Sequence, residues 1–264
     1  MSFQIGEENW WRLRRLKLSG AAEVLGKAPV SVKPVLARED LLEVLYLVHQ
    51  RYVEVGIIDE SSSLWTTPYH FLSETRFFAT YLGNEGPLSV AAIVFDSPQG
   101  LPSDEIFSEE LKNIRKRKRF LAEFFSLASL PKMKARNTLF YLFRMLYQYA
   151  TFRGVTDIVI AIHPKHADFY ERLLLFSRRG DRRKHPKFKG ASFILEHLDL
   201  KKAKHRYYKV YKNFPPPFNL YHFFEKAQLP KKELFSAIVN APSLGDILSI
   251  DDLKIRSKIR INSL

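Results

Sequence analysis

Between Arg119 and Asn137 the chain runs RFLAEFFSLASLPKMKARN. From Phe120 to Leu130 it is almost wholly apolar and holds one carboxylate, Glu123. Burial in such a strand disfavours the charged form. It lifts a glutamate pKa above its reference of about 4.3, toward neutral pH. A carboxylate tuned that way suits proton transfer. The competing role is a structural ion pair with Arg119 or with a base on an adjoining strand. Other chemistry is sparse. His163 and His166, three apart in HPKH, could share a metal, but no further His/Asp/Glu constellation accompanies them, and no metal site is expected. Without Cys there is no disulfide, no thiolate zinc site and no thiol nucleophile. No P-loop, G-x-S-x-G or dinucleotide fingerprint occurs.

Hydrophobic period and turn residues supply the elements that position Glu123. Ser31 to Ala37 predicts a strand. Arg38 to Ile58 carries Leu41, Leu42, Leu45, Val48, Tyr52 and Val55 at helical spacing, with Gly56 as its stop. Arg76 to Leu82, the turn GNEG, and Leu88 to Phe95 predict a hairpin. DSPQGLPSDE predicts a loop and Phe120 to Leu130 a strand. Asn137 can cap a helix reaching about Phe152. Asp157 to Ile162 predicts a short apolar strand, His163 to Phe176 a turn plus helix, and Gly190 to Leu200 a last strand. The order β-α-β-β-β-α-β-α-β predicts the α/β (α+β) class, a mixed central sheet with flanking helices. Ligands in such sheets bind where neighbouring strands diverge near their carboxyl ends. The Glu123 strand and Asp157 to Ile162 both end there.

Three segments follow: an N-terminal helical segment over 1–28, a core over 29–200, and a basic C-terminal helical appendage over 201–264. The first has Trp10, Trp11, Leu13 and Leu16 toward one side, interrupted by Arg12, Arg14, Arg15 and Lys17. It suits packing on its own domain or lying on a membrane surface. The last is broken by Pro215 to Pro217, ahead of two short helices in FNLYHFFEKAQL and KKELFSAIVN.

Charge narrows the partners. The 264 residues hold 42 Lys/Arg against 28 Asp/Glu, a net charge of +14. Lys201 to Leu264 alone carries 13 against 5. Such a surface attracts nucleic acid, anionic lipid or an acidic protein, or it is simply a solvated basic face. No apolar run reaches transmembrane length and no signal-peptide pattern opens the chain. The expected location is cytoplasmic, with a peripheral place at the inner membrane surface as the variant.

Six stretches, in order, resemble the catalytic core of bacterial long-chain N-acyl amino acid synthases, which have the GNAT acyltransferase fold and are related to acyl-homoserine-lactone autoinducer synthases. They are RYVEVGIIDE, TPYHFL, DSPQGLPSDEIFSEEL, RFLAEFFSLAS, HPKHADFYERLLLF and GASFILEHLDL. The resemblance runs from about Ser31 to Leu200. It implies an acyltransferase moving a long-chain acyl group from acyl carrier protein, or from coenzyme A, to the amine of an amino acid. The donor substrate would be an acyl-phosphopantetheine, with no tightly bound cofactor. In the family's A-E-x-S-x-L-A pattern the acid serves catalysis, and here it is Glu123. Tyr170 is the implied acid for the thiolate leaving group, or else an ordinary core aromatic beside Leu173 and Leu174. Backbone N–H groups from Leu127, Ala128, Ser129 and Leu130 are where an oxyanion would be held.

The next loop, PKMKARN, has no Gly to let backbone approach a pyrophosphate. Lys132, Lys134, Arg136 and Asn137 would instead meet a single phosphate or the acidic groups of a carrier protein. Arg51, Tyr52, Phe125, Ser126 and His163 are placed on the acceptor side. Three residues depart from the family pattern: Phe125 for Ser, Ser126 where relatives carry Arg or Gly, and Leu175 for Gly. The alternative function is a non-catalytic module of the same fold binding an anionic partner through its tail. Nucleic acid is not the expected partner of the enzyme.

Overall fold

In the computed structural model, which describes residues 6–18, 30–83, 86–131, 133–226 and 232–254, seven strands make one sheet. They are β1 (Val30–Pro34), β2 (Arg76–Leu82), β3 (Ser89–Phe95), β4 (Leu121–Ser129), β5 (Asp157–Ile162), β6 (Ser177–Lys184) and β7 (Ser192–Asp199). Their spatial order is β1-β2-β3-β4-β5-β7-β6. Each pair is antiparallel except β4 and β5, which run parallel.

Helices cover both faces. On one, α2 (Arg38–Glu54) shares a core with Phe77, Ala79, Val90 and Ala92 through Leu41, Val44, Leu45 and Val48. Beside it α3 (Asp104–Arg115) sets Phe107, Leu111 and Ile114 among Val94, Leu121, Val159 and Leu195. A Cβ at Gly180 would stand 2.5 Å from the Phe107 ring, so the glycine lets α3 lie directly on β6. On the other face, α4 (Met133–Phe152) packs Phe140, Phe143 and Leu146 with Phe78, Ile93, Phe124, Ile158 and Ile160. Tyr207 and Tyr211 of α5 (Leu200–Tyr211) complete that layer.

Several elements differ from the sequence expectation. The seventh strand, β6, falls between Phe176 and Gly190, where no element was expected. α3 lies partly where DSPQGLPSDE suggested loop. The helix α4 starts at Met133, so Asn137 lies inside it and does not cap it. Nothing between Pro131 and Asn137 opposes helix, since Met, Lys, Ala and Arg are good formers. His163 to Phe176 forms a 3-10 turn at Pro164–His166 and a π-type turn at Phe169–Leu173. Leu174 N–H bonds Phe169 O at 3.1 Å and Leu175 takes φ 57°, the left-handed conformation that glycine adopts without strain.

The first and last described segments are both tied down. In α1 (Glu7–Leu18), Leu16 is fully buried and Arg12 Nε donates to Arg172 O at 2.8 Å. At the other end α6 (Lys232–Val239) is followed by α7 (Leu244–Ile247). The buried Arg76 donates to the carbonyls of Ser73, Thr75, Ile238, Val239 and Ala241 at 2.7–2.9 Å. This closes the C-terminal end of α6 onto the start of β2. Among the described residues no helix is long and apolar enough to cross a membrane.

Candidate active site

The parallel joint between β4 and β5 is short. It pairs Leu121, Ala122 and Glu123 with Asp157, Ile158 and Val159, and then the strands part. β4 stays with β3 through a bulge, and β5 stays with β7 as far as Ile162. The gap opens into a cavity of about 1620 Å³. Strand alternation turns Glu123 and Phe125 toward the α2/α3 face and Phe124 toward the α4 face. The cavity therefore passes through the seam and has two differing ends. Thr67, Tyr69, Ser103, His185 and Lys187 bring polar groups to one end, among Trp65, Phe188 and Phe193, while Phe124, Leu139, Phe140, Phe143, Phe169 and Leu173 make the other apolar.

Glu123 lies on the cavity wall with 2% of its surface exposed. The loop before α3 clamps it: Ser103 Oγ donates to Oε1 at 2.6 Å and Ser103 N–H to Oε2 at 2.9 Å. Burial pushes its pKa up to about 8, against the lowering effect of those two bonds. The ion pair with Arg119 does not form. Arg119 is committed to Asp157, the first residue of β5, and to Asp199, the last of β7. Arg115, the other nearby guanidinium, pairs with Asp96 and Asp104.

Tyr170 lines the same cavity from the π-type turn. Its ring meets Phe143 and Phe176 edge-on at 5.7 and 5.6 Å. Burial pushes its phenol pKa well above the ordinary value, so the hydroxyl stays protonated. It is thus both a core aromatic and a residue of the cavity wall.

Arg51, Tyr52, Phe125, Ser126 and His163 all line this cavity, as do Leu127, Ala128 and Ser129. Arg51 is ion-paired with Glu54. Leu130 does not line it, and its N–H is already bonded to Leu88 O at 2.9 Å. Lys132 lies outside the described residues. Lys134, Arg136 and Asn137 fall on the first turns of α4, and their side chains also lie outside the description. His163 Nδ1 accepts from Lys165 N–H at 3.2 Å, which caps the turn. Among the described residues no group of three or more His, Asp or Glu could hold a metal.

Two site residues, Ser103 and His70, have no counterpart in the sequence expectations. His70, fully buried, contacts Ser126 Oγ through Nε2 at 2.8 Å. Thr67 N–H donates to its Nδ1 at 2.9 Å, within a capping box over the 3-10 turn Pro68–Phe71. The spacing Thr67, Pro68, Tyr69, His70 carries a cap signal, with His in place of the usual Glu or Gln.

A base near neutrality, a protonated phenol and an apolar chamber on one seam suit acyl transfer to an amine. The model of the family "N-acyl amino acid synthase FeeM" matches residues 43–199 of the chain. Among solved structures, FeeM, an N-acyl amino acid synthase from uncultured soil microbes, is similar with a TM-score of 0.60 and 24% identity. That match covers 68% of this chain and 94% of FeeM. The AHL synthase LasI is similar with a TM-score of 0.50 and 14% identity, covering 67% of this chain and 95% of LasI. No curated protein sequence matches. These likenesses show the fold, the GNAT-type acyltransferase fold that the resemblance implied.

Proposed function

Because the chain belongs to the N-acyl amino acid synthase FeeM family and is an N-acyltransferase, we propose that it moves a long-chain acyl group from acyl carrier protein to the amine of an amino acid. The observation that carries this proposal is the buried Glu123 on the wall of a cavity that is polar on one side of the sheet and apolar on the other. The acyl chain takes the apolar end and the thioester lies at the seam. The amino acid enters from the polar end, past Arg51, Tyr52 and His163.

Only a neutral amine attacks a thioester. Ionised Glu123 takes the proton that nitrogen loses as the C–N bond forms. The oxyanion is met by backbone N–H of Leu127 and Ser129. With Leu130 N–H bonded toward β3, alternation turns the Ser129 N–H into the gap. Collapse breaks the C–S bond, and Tyr170 gives the departing thiolate its proton. Glu123 ends protonated and Tyr170 ionised, and transfer of the proton from the carboxyl through solvent to the phenolate restores both groups and balances the exchange.

A net charge of +14 and a glycine-free PKMKARN loop favour an acidic carrier protein over free coenzyme A as donor. No tightly bound cofactor is required. The product is amphiphilic, which favours a cytoplasmic protein working at the inner membrane surface. Co-sedimentation with anionic vesicles tests that placement, and none at low salt would refute it.

The test of function is to mix the protein with long-chain acyl carrier protein and a pool of amino acids, then analyse an organic extract by mass spectrometry. A new N-acyl amino acid is expected. If acyl carrier protein and acyl-coenzyme A both remain intact, the proposal fails.

A further inference from the structure

A serine hydroxyl 2.8 Å from a buried imidazole has the form of a nucleophile with its base. Proton placement in this pair excludes that role. The backbone N–H of Thr67 can only donate, and it meets Nδ1 of His70 at 2.9 Å, nearer than the Thr67 carbonyl oxygen at 3.2 Å, so Nδ1 is the accepting nitrogen. Burial pushes the His70 pKa down to about 4, so the ring is neutral. A neutral ring that accepts at Nδ1 carries its hydrogen on Nε2. Nε2–H therefore donates to Ser126 Oγ, and His70 has no lone pair left to take the serine proton.

Ser126 keeps its own O–H as a donor directed away from His70. Its backbone φ of 51° is left-handed, strained for a serine, and falls at the β4 bulge. Strand and bulge together put the residue on the cavity wall, three positions past Glu123. Rings hold His70 in place, with Phe125 at 5.0 Å and Trp65 at 5.4 Å.

We propose that the Ser126 hydroxyl is a catalytic hydrogen-bond donor to the thioester carbonyl oxygen, aimed by His70 as a positioning residue, and never itself acylated. This inference rests on the N-acyltransferase assignment of the same cavity. As the amine nitrogen bonds to the carbonyl carbon, the C=O electron pair moves onto oxygen and the Ser126 hydrogen bond strengthens. The pair returns when the C–S bond breaks. No bond to Ser126 forms, and donation from Nε2–H polarises the serine O–H throughout.

The test uses the donor and acceptor that the wild-type protein converts. If wild type converts none, the functional proposal fails first, and separately from this one. Ser126→Gly accepts the left-handed backbone without strain, so it tests the hydroxyl alone. It should lower kcat about 10²-fold with little change in KM for either substrate. His70→Phe should show the same loss, and His70→Gln, which retains an N–H donor, should recover much of it. Intact mass of wild type mixed with acyl donor alone should show no added acyl group. An acyl adduct on Ser126, an unchanged kcat in Ser126→Gly, or a loss confined to acceptor KM would each overturn the inference.

Discussion

Ser103 holds both carboxylate oxygens of Glu123, one through its hydroxyl at 2.6 Å and one through its backbone N–H at 2.9 Å. Both bonds favour the carboxylate, burial opposes it, and burial prevails to give a pKa of about 8. The rate kcat/KM should therefore rise with pH and level off above about 8. Ser103→Ala removes one of the two stabilising bonds, and its profile should move to higher pH. A pH–rate series on both proteins decides it, and a shift to lower pH would show that Ser103 acts otherwise.

Glu123→Gln should cut kcat by roughly 10²–10⁴-fold while leaving the fold intact. It should also change how stability depends on pH. The folded-state pKa of about 8 lies above the ordinary 4.5, so the native protein binds this proton more tightly than the unfolded chain. Glu123 thus supports the fold fully below 4.5, and that support is lost as pH rises to about 8. Melting temperatures at pH 5 and pH 9 should show the Gln variant gaining on wild type at the higher pH. No relative gain would mean that the carboxyl is not desolvated.

Tyr170→Phe deletes the proposed proton donor and keeps the ring packing. Alkyl thioesters, whose thiolates leave poorly, should slow sharply. Aryl thioesters, whose thiolates leave without help, should be converted at nearly the wild-type rate. Equal loss on both donors would reduce Tyr170 to a packing residue.

Arg76→Met strips hydrogen bonds from five carbonyls at once. We expect a loss of about 3 kcal/mol or more, from buried acceptors left unpaired. Lysine cannot spread donors over that arc, so Arg76→Lys should rescue little. Limited proteolysis should then cut after β7 faster than in wild type. An unchanged melting temperature would mean that the C-terminal segment is held by its apolar contacts alone.

The residues that carry strong periodic patterns were legible in the sequence. α2, the β2–β3 hairpin, β4 and β5 lie close to where apolar spacing places them, and Glu123 stands out as a lone acid among buried neighbours. β6 was not legible because SRRGDRRK is an edge strand whose charged side chains face solvent and leave no alternation to detect. α3 was obscured by its approach through Pro102 and by a kink at Phe107. His70 was missed for another reason. It sits in a four-residue turn, too short for any period, and its role depends on a serine 56 positions away. Arg76 opens an apolar strand, and nothing local reveals that three of its five carbonyl partners are Ile238, Val239 and Ala241.

The three-residue joint between β4 and β5 also has a mechanical meaning. A sheet slit along one line behaves like a notched plate, in which flexing concentrates at the root of the notch. Two antiparallel blocks, β1 to β4 and β5 to β6, can open and close about that root. Amide deuterium uptake should be slow at Leu121 to Glu123 and faster at Leu127 to Ser129, and uniform uptake would speak against a pivot. Glu123 is the last residue of β4 paired with β5, so it stands at the fulcrum. The mouth can widen for a bulky chain while the base, at the point of least travel, keeps its place.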